Sequence, residues 1–151
     1  LLLLLVGLLL ASACGDGSTF GPRDPASLHT EWVVESAPEG LIERVVIDSV
    51  FWNPAALLPT GDDAVVEVEG PYLILFRNTG EQALEMRYDL RFLEEGGFLV
   101  DRFIPFGQPV RLAAGQQTRQ EGRFVIRSSS DIGRFGLLTM QIVARMLLPE
   151  P

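Results

Sequence analysis

Histidine and cysteine, two residues that carry much of protein chemistry, occur once each in this chain, as His29 and Cys14. A zinc or copper site needs several such ligands, and one of each does not supply them. A histidine-dependent triad needs a nucleophile beside the imidazole, and no recognisable nucleophile motif accompanies His29. We therefore expect His29 to be an incidental exposed residue, and we do not expect an enzyme.

Carboxylates are the other candidates for chemistry. Asp62 and Asp63 lie in a loop, ahead of Glu67 and Glu69, and carboxylate oxygens are the ligands that Ca²⁺ prefers. The chain lacks the spaced acidic loop that orients such ligands. The same residues also fit a solvated acidic face that protects an edge strand from aggregation. We expect no metal site and no cofactor, and we name Asp62 and Asp63 as the candidates should calcium bind.

The charge of the chain excludes one class of partner. It carries 20 acidic residues against 12 basic ones, a formal net charge of -8, and the basic residues are all arginines scattered along the sequence. Binding to nucleic acid depends on clustered cations that meet the phosphates. We therefore expect no nucleic-acid partner.

The N-terminus reads as an export signal. Residues 1–10 are apolar and uncharged, and Ala11, Ser12 and Ala13 follow them ahead of Cys14. So short a segment does not span roughly 30 Å of hydrocarbon as a helix, but it suits the apolar region of a signal peptide. The chain begins with Leu and has no basic segment, so we interpret residues 1–13 as a signal peptide truncated at its N-terminus.

Small residues directly before a cysteine resemble the lipobox of bacterial lipoproteins. That resemblance implies that Cys14 is lipidated on its sulfur and becomes the new N-terminus, which makes a membrane one partner of the protein. Ala11 stands where the family usually has Leu, and Ala11 with Ala13 also satisfies an ordinary secretory cleavage site. Lipidation, plain secretion and an uncleaved anchor all remain open. We predict lipidation, a location outside the cytoplasm in a bacterial envelope, and a flexible tether over residues 14–30.

From residue 31 the apolar residues recur with the period of a β-strand. Between residues 84 and 92 apolar side chains at even positions alternate with charged ones at odd positions, which indicates a strand with one wet face. We see no convincing amphipathic helix, and an antiparallel sandwich of seven to eight strands is the usual solution to this pattern. We predict one all-β domain over residues 31–148, with strands at residues 32–35, 41–52, 64–69, 72–77, 83–93, 98–104, 116–127 and 135–146.

Three segments carry a resemblance to a known family. Residues 73–78 read LILFRN, residues 88–97 read YDLRFLEEGG, and residues 112–116 read LAAGQ. They resemble the immunoglobulin-like domains of bacterial envelope proteins, particularly the FxLYD-like type, although the naming motif is absent and Ala114 stands where proline is frequent. The resemblance implies an antiparallel Ig-like β-sandwich in the cell envelope, and it supplies no catalytic residues.

One loop is apolar where a polar loop is expected. Residues 51–59 read FWNPAALLP, and exposed apolar surface with a Trp is typical of binding sites. The segment either plugs the open end of the sandwich or contacts a partner, and the candidate contact residues are Phe51, Trp52, Leu57 and Leu58. We expect a non-enzymatic envelope lipoprotein that acts as a protein-binding or structural module, with another envelope protein as its partner. The alternative is a small-ligand or calcium-binding β-sandwich domain.

Overall fold

The computed structural model describes residues 28–129 and 137–147 of the chain. The predicted leader and Cys14 lie outside the described residues. No helix in the described part is long and apolar enough to cross a membrane. The strands of the described part are β1 (His29–Ser36), β2 (Val45–Trp52), β3 (Ala56–Pro59), β4 (Val65–Asn78), β5 (Leu84–Glu94), β6 (Leu99–Phe103), β7 (Val110–Leu112), β8 (Gln117–Ser129) and β9 (Leu137–Leu147).

The strands form two sheets. In the first sheet β9 lies between β1 and β5, and the other edge of β5 pairs with β6 and then with β7. In the second sheet β4 lies in the centre, with β8 along one edge and both β2 and β3 along the other. The prediction of an all-β sandwich is confirmed. One pairing departs from the antiparallel pattern, because β1 runs parallel to β9.

The core lies between the two sheets and follows the period of two. The even positions of β5 are buried, and Phe92 meets Phe124 of β8 with ring centroids 4.4 Å apart. Trp52 of β2 packs edge-on against Phe92 at 5.8 Å, so the aromatic rings join the two sheets. Each fully buried side chain of this size contributes about 1.5 to 3 kcal/mol. Packing of these side chains is therefore the main source of stability.

The structure differs from the predicted strands in three respects. Residues 42–44, predicted as the start of the strand over residues 41–52, form one turn of 3-10 helix, closed by a hydrogen bond from the Arg44 amide to the Leu41 carbonyl at 3.1 Å. Residues 64–69 and 72–77 were predicted as separate strands, but they belong to the single strand β4, because β8 pairs continuously across Gly70 and Pro71. The short strands β3 and β7 were not predicted; they lie between predicted strands, in the segments 53–63 and 105–115. Each is too short to display a period of its own, and each is defined by pairing with a longer strand.

Gly70 explains why β2 and β3 can share one edge of β4. The chain leaves β2 at Asn53 and begins β3 at Ala56, and the Asn53 backbone passes directly over Gly70. A Cβ atom at position 70 would lie 1.8 Å from the Asn53 carbonyl oxygen. The amides of Asn53 and Ala55 donate hydrogen bonds to the carbonyls of Pro71 and Glu69 on either side, at 3.1 and 2.8 Å. A residue with a side chain at position 70 would push this connection away from the sheet.

The substitution Gly70→Ala therefore destabilises the domain. We expect the free energy of unfolding to fall by about 3 kcal/mol, because the clash is with backbone and no rotamer change relieves it. Gly122→Ala in β8 is the matched control, since the nearest atoms to its Cβ would belong to the Tyr72 ring and hydroxyl at 3.1 to 3.3 Å rather than to backbone, and it should cost about 1 kcal/mol. Denaturant unfolding of both variants checks this, and an equal loss in both would contradict the role given to Gly70.

Candidate functional site

The prediction that residues 51–59 form a loop is wrong, because Phe51 and Trp52 end β2, whereas Leu57 and Leu58 lie in β3, and both strands pair with β4. The four predicted contact residues divide into buried and exposed ones. Trp52 is only 5% exposed and belongs to the core, and Leu57 is half-buried and packs against the same core. These two side chains fill space between the sheets. Phe51 and Leu58 are 55% and 41% exposed, so they are the members of the predicted set that remain accessible.

Phe51 lies on the outer face of the second sheet, directly opposite Leu73 of β4. A shallow pocket of about 390 Å³ beside it is lined mostly by apolar surface, with two charged residues of β8 at its rim. Arg123 pairs with Glu69 at 2.8 Å, and Glu121 pairs with Arg119. We call this surface the Phe51 patch, and it consists of Phe51, Pro71, Leu73, Glu121 and Arg123.

Among the other exposed large apolar side chains of the described part, Val125 of β8 lies beside the Phe51 patch, two residues from Arg123 on the same face of the strand. Phe98 and Leu99 lie at the start of β6, whereas Ile104 and Phe106 follow its end. The length of the strand separates these two pairs. Leu58 pairs with Glu67 in the register of β3 with β4, several residues along β4 from the Phe51 patch.

Three of the acidic residues named as candidate calcium ligands form hydrogen bonds or ion pairs within the fold. The Asp62 carboxylate accepts a hydrogen bond from the Ala64 amide at 2.9 Å and so closes the turn before β4. Glu67 and Glu69 on β4 face Arg127 and Arg123 on β8. Across the residues that the structure describes, no group of three or more His, Cys, Asp or Glu side chains is arranged to hold a metal ion. His29 lies at the exposed start of β1.

The outer face of the first sheet carries a network of charges that the sequence analysis did not anticipate. Glu35 of β1 accepts hydrogen bonds from Arg145 of β9 and from Arg91 of β5. Arg91 also donates to Asp89 at 3.0 Å, and Asp89 is only 7% exposed although it was predicted on a wet face. The hydrogen bond from Arg145 lowers the pKa of Glu35, and the bond to Asp89 raises the pKa of Arg91. The network depends on pairing between distant strands, for which the sequence contains no local signal.

Gln108 closes a gap in this sheet. The edge of β5 that faces away from β9 pairs with β7 up to Met86 and with β6 from Leu90. The backbone of Tyr88 lies in the gap between these two pairings. The Tyr88 amide donates to the Gln108 side-chain oxygen at 2.7 Å, and the Gln108 side-chain nitrogen donates to the Tyr88 carbonyl. One side-chain amide thus replaces a missing strand residue.

Replacing Gln108 by Leu should lower the free energy of unfolding by about 2 kcal/mol or more, because it leaves a backbone N–H and a C=O of β5 without partners. Gln116→Leu is the control, since the Gln116 side chain is exposed in a turn. Thermal and denaturant unfolding of both variants measures the difference. Equal stability of the two variants would show that the Gln108 bridge contributes nothing.

Comparisons with known proteins add little to this geometry. No protein-family model matches the chain, and no curated protein matches it. Among solved structures, it is similar to cj0090 of Campylobacter jejuni, with 16% identity and a TM-score of 0.38, over 76% of this chain and 95% of that one. It is also similar to the Northeast Structural Genomics Consortium target SoR45, with 13% identity and a TM-score of 0.44, over 72% and 89%. Likenesses this distant carry no argument about function.

Proposed function

We propose that this chain is a non-enzymatic module of the bacterial cell envelope, anchored through a lipid on Cys14, that binds another envelope protein through the Phe51 patch. The observation that carries the proposal is the exposure of Phe51. An aromatic side chain that is 55% exposed sits on a paired strand, beside an apolar pocket, with ion pairs at the rim. An apolar centre with a polar rim is the anatomy of protein interfaces, and aromatic residues are enriched there.

The charges of the patch favour a protein over other occupants. Its rim holds both signs, since Arg123 is paired with Glu69 and Glu121 with Arg119. A nucleic acid presents only negative charge and is repelled by a chain of net charge -8. A protein surface of mixed charge with a protruding apolar side chain fits both the pocket and the rim.

The proposed family and location of the chain rest on short segments of its sequence. The apolar leader and the small residues before Cys14 support export and lipidation, although the same residues also fit an ordinary secretory cleavage site. Residues 73–78, 88–97 and 112–116 support membership of the FxLYD-like Ig domains, and all three lie in or beside strands of the sandwich. We propose this family and an envelope location on those grounds.

Phe51→Ala should abolish the contact while leaving the domain folded. Crosslinking in intact cells, followed by recovery of this chain, should yield a partner protein from the wild type and lose it from the variant. The side chain is more than half exposed, so its removal should change the free energy of unfolding by no more than about 1 kcal/mol.

The matched control is Phe106→Ala, which removes an aromatic side chain that is 94% exposed away from the patch. It should retain the same crosslinked partner. The proposal fails if Phe51→Ala keeps every protein that the wild type captures, if Phe106→Ala loses the same ones, or if the captured species is a second copy of this chain.

A further inference from the structure

Three arginines line a pocket on the outer face of the first sheet. Its volume is about 210 Å³, and it lies on the opposite sheet from the Phe51 patch. Its floor is the part of β5 that Gln108 bridges. The side chains that form its walls are Arg87, Arg102, Arg145, Asp89, Ile104 and Gln108.

The strand register places like charges directly opposite one another around this pocket. Arg87 of β5 pairs in register with Arg145 of β9, and Arg91 of β5 pairs with Arg102 of β6. Residues directly opposite on neighbouring strands share a face with their Cβ atoms about 5 Å apart, and like charges in such positions are destabilising. A chain with 20 acidic and 12 basic residues has ample carboxylates to avoid this arrangement. A violation of local pairing rules is characteristic of functional sites.

The carboxylates near the cluster do not neutralise it. Glu35 pairs with Arg145 and Arg91, and the Asp89 carboxylate, which also lines the pocket, pairs with Arg91 at 3.0 Å. Within this set of six side chains, the guanidiniums outnumber the carboxylates by four to two. Among the described residues, Arg87 and Arg102 form no ion pair within 4.0 Å, and both line the pocket.

We propose that this pocket binds a compact phosphate group. The planar guanidinium presents a fork of donors that matches the oxygens of phosphate, and a tetrahedral anion offers acceptors to Arg87 and Arg102 from two adjacent strands at once. The Gln108 amide is occupied by Tyr88 and serves as a wall. The pocket is smaller than the roughly 300 to 1,000 Å³ typical of sites for larger ligands, which favours a phosphate group over a nucleotide.

The test uses inorganic phosphate and the full chain in neutral detergent, with sodium chloride holding the ionic strength constant. Phosphate should raise the melting temperature of the wild type, because a ligand bound by the native state stabilises it. Arg87→Gln and Arg102→Gln should each weaken the phosphate affinity measured by calorimetry by about tenfold or more, since each removes charge-assisted hydrogen bonds. The control Arg111→Gln removes an arginine of β7 that lies outside the pocket, and it should bind phosphate as the wild type does.

Three results would overturn the proposal: no stabilisation beyond that of chloride at equal ionic strength, unchanged affinity in both pocket variants, or an equal loss in Arg111→Gln. Phe51→Ala should bind phosphate normally, so failure of the partner contact and failure of this site are distinguishable. A second arm identifies the source of the group: the full chain is placed in phosphatidylcholine vesicles with or without phosphatidic acid. If phosphatidic acid displaces inorganic phosphate, the ligand is a lipid headgroup. If phosphatidic acid does not displace it, the ligand is the free ion.

Discussion

The alternation of side chains along β5 is the constraint on which the rest of this structure depends. Its even positions, from Leu84 to Phe92, are buried against the second sheet and hold the centre of the core. A slip of one residue would exchange the two faces, so burial of the apolar set determines which charged residues point outward. Arg87 and Arg91 therefore point outward, and the strand register places them opposite Arg145 of β9 and Arg102 of β6. The arginine-lined pocket is thus coupled to the packing of the domain.

The second sheet depends in a similar way on β4. Its inner residues pack in the core, whereas Pro71 and Leu73 belong to its outer face and lie beside Phe51. Gly70 allows both β2 and β3 to pair along one edge of β4, and β8 pairs along the other edge. The two outer faces differ in chemistry, since one has an apolar centre and the other a positive pocket. The two proposed binding surfaces therefore lie on opposite sides of the domain.

The sequence predicted those features that depend on local periodicity. The alternation in β5, the inward orientation of Phe124 and Ile126, and the all-β architecture follow from a period of two and are confirmed. The sequence did not predict the features that depend on pairing between residues far apart in the chain. Strands β3 and β7 are defined by their pairing with β4 and β5. The ion pair of Glu35 with Arg145 joins β1 to β9. The sequence left Trp52 either plugging the core or contacting a partner, because it does not show which of two adjacent aromatic residues faces inward; Trp52 is the buried one.

The proposed envelope location of the domain depends on Cys14. It is the only cysteine of the chain, so the domain gains no stability from an internal disulfide and the thiol is available for attachment. Our central claim is that the sandwich works outside the cytoplasm on a lipid anchor. Mass spectrometry of the mature protein from its native cells tests this most directly. The account predicts an N-terminus at Cys14 carrying a lipid on its sulfur, and an N-terminal Cys14 without any lipid would contradict it.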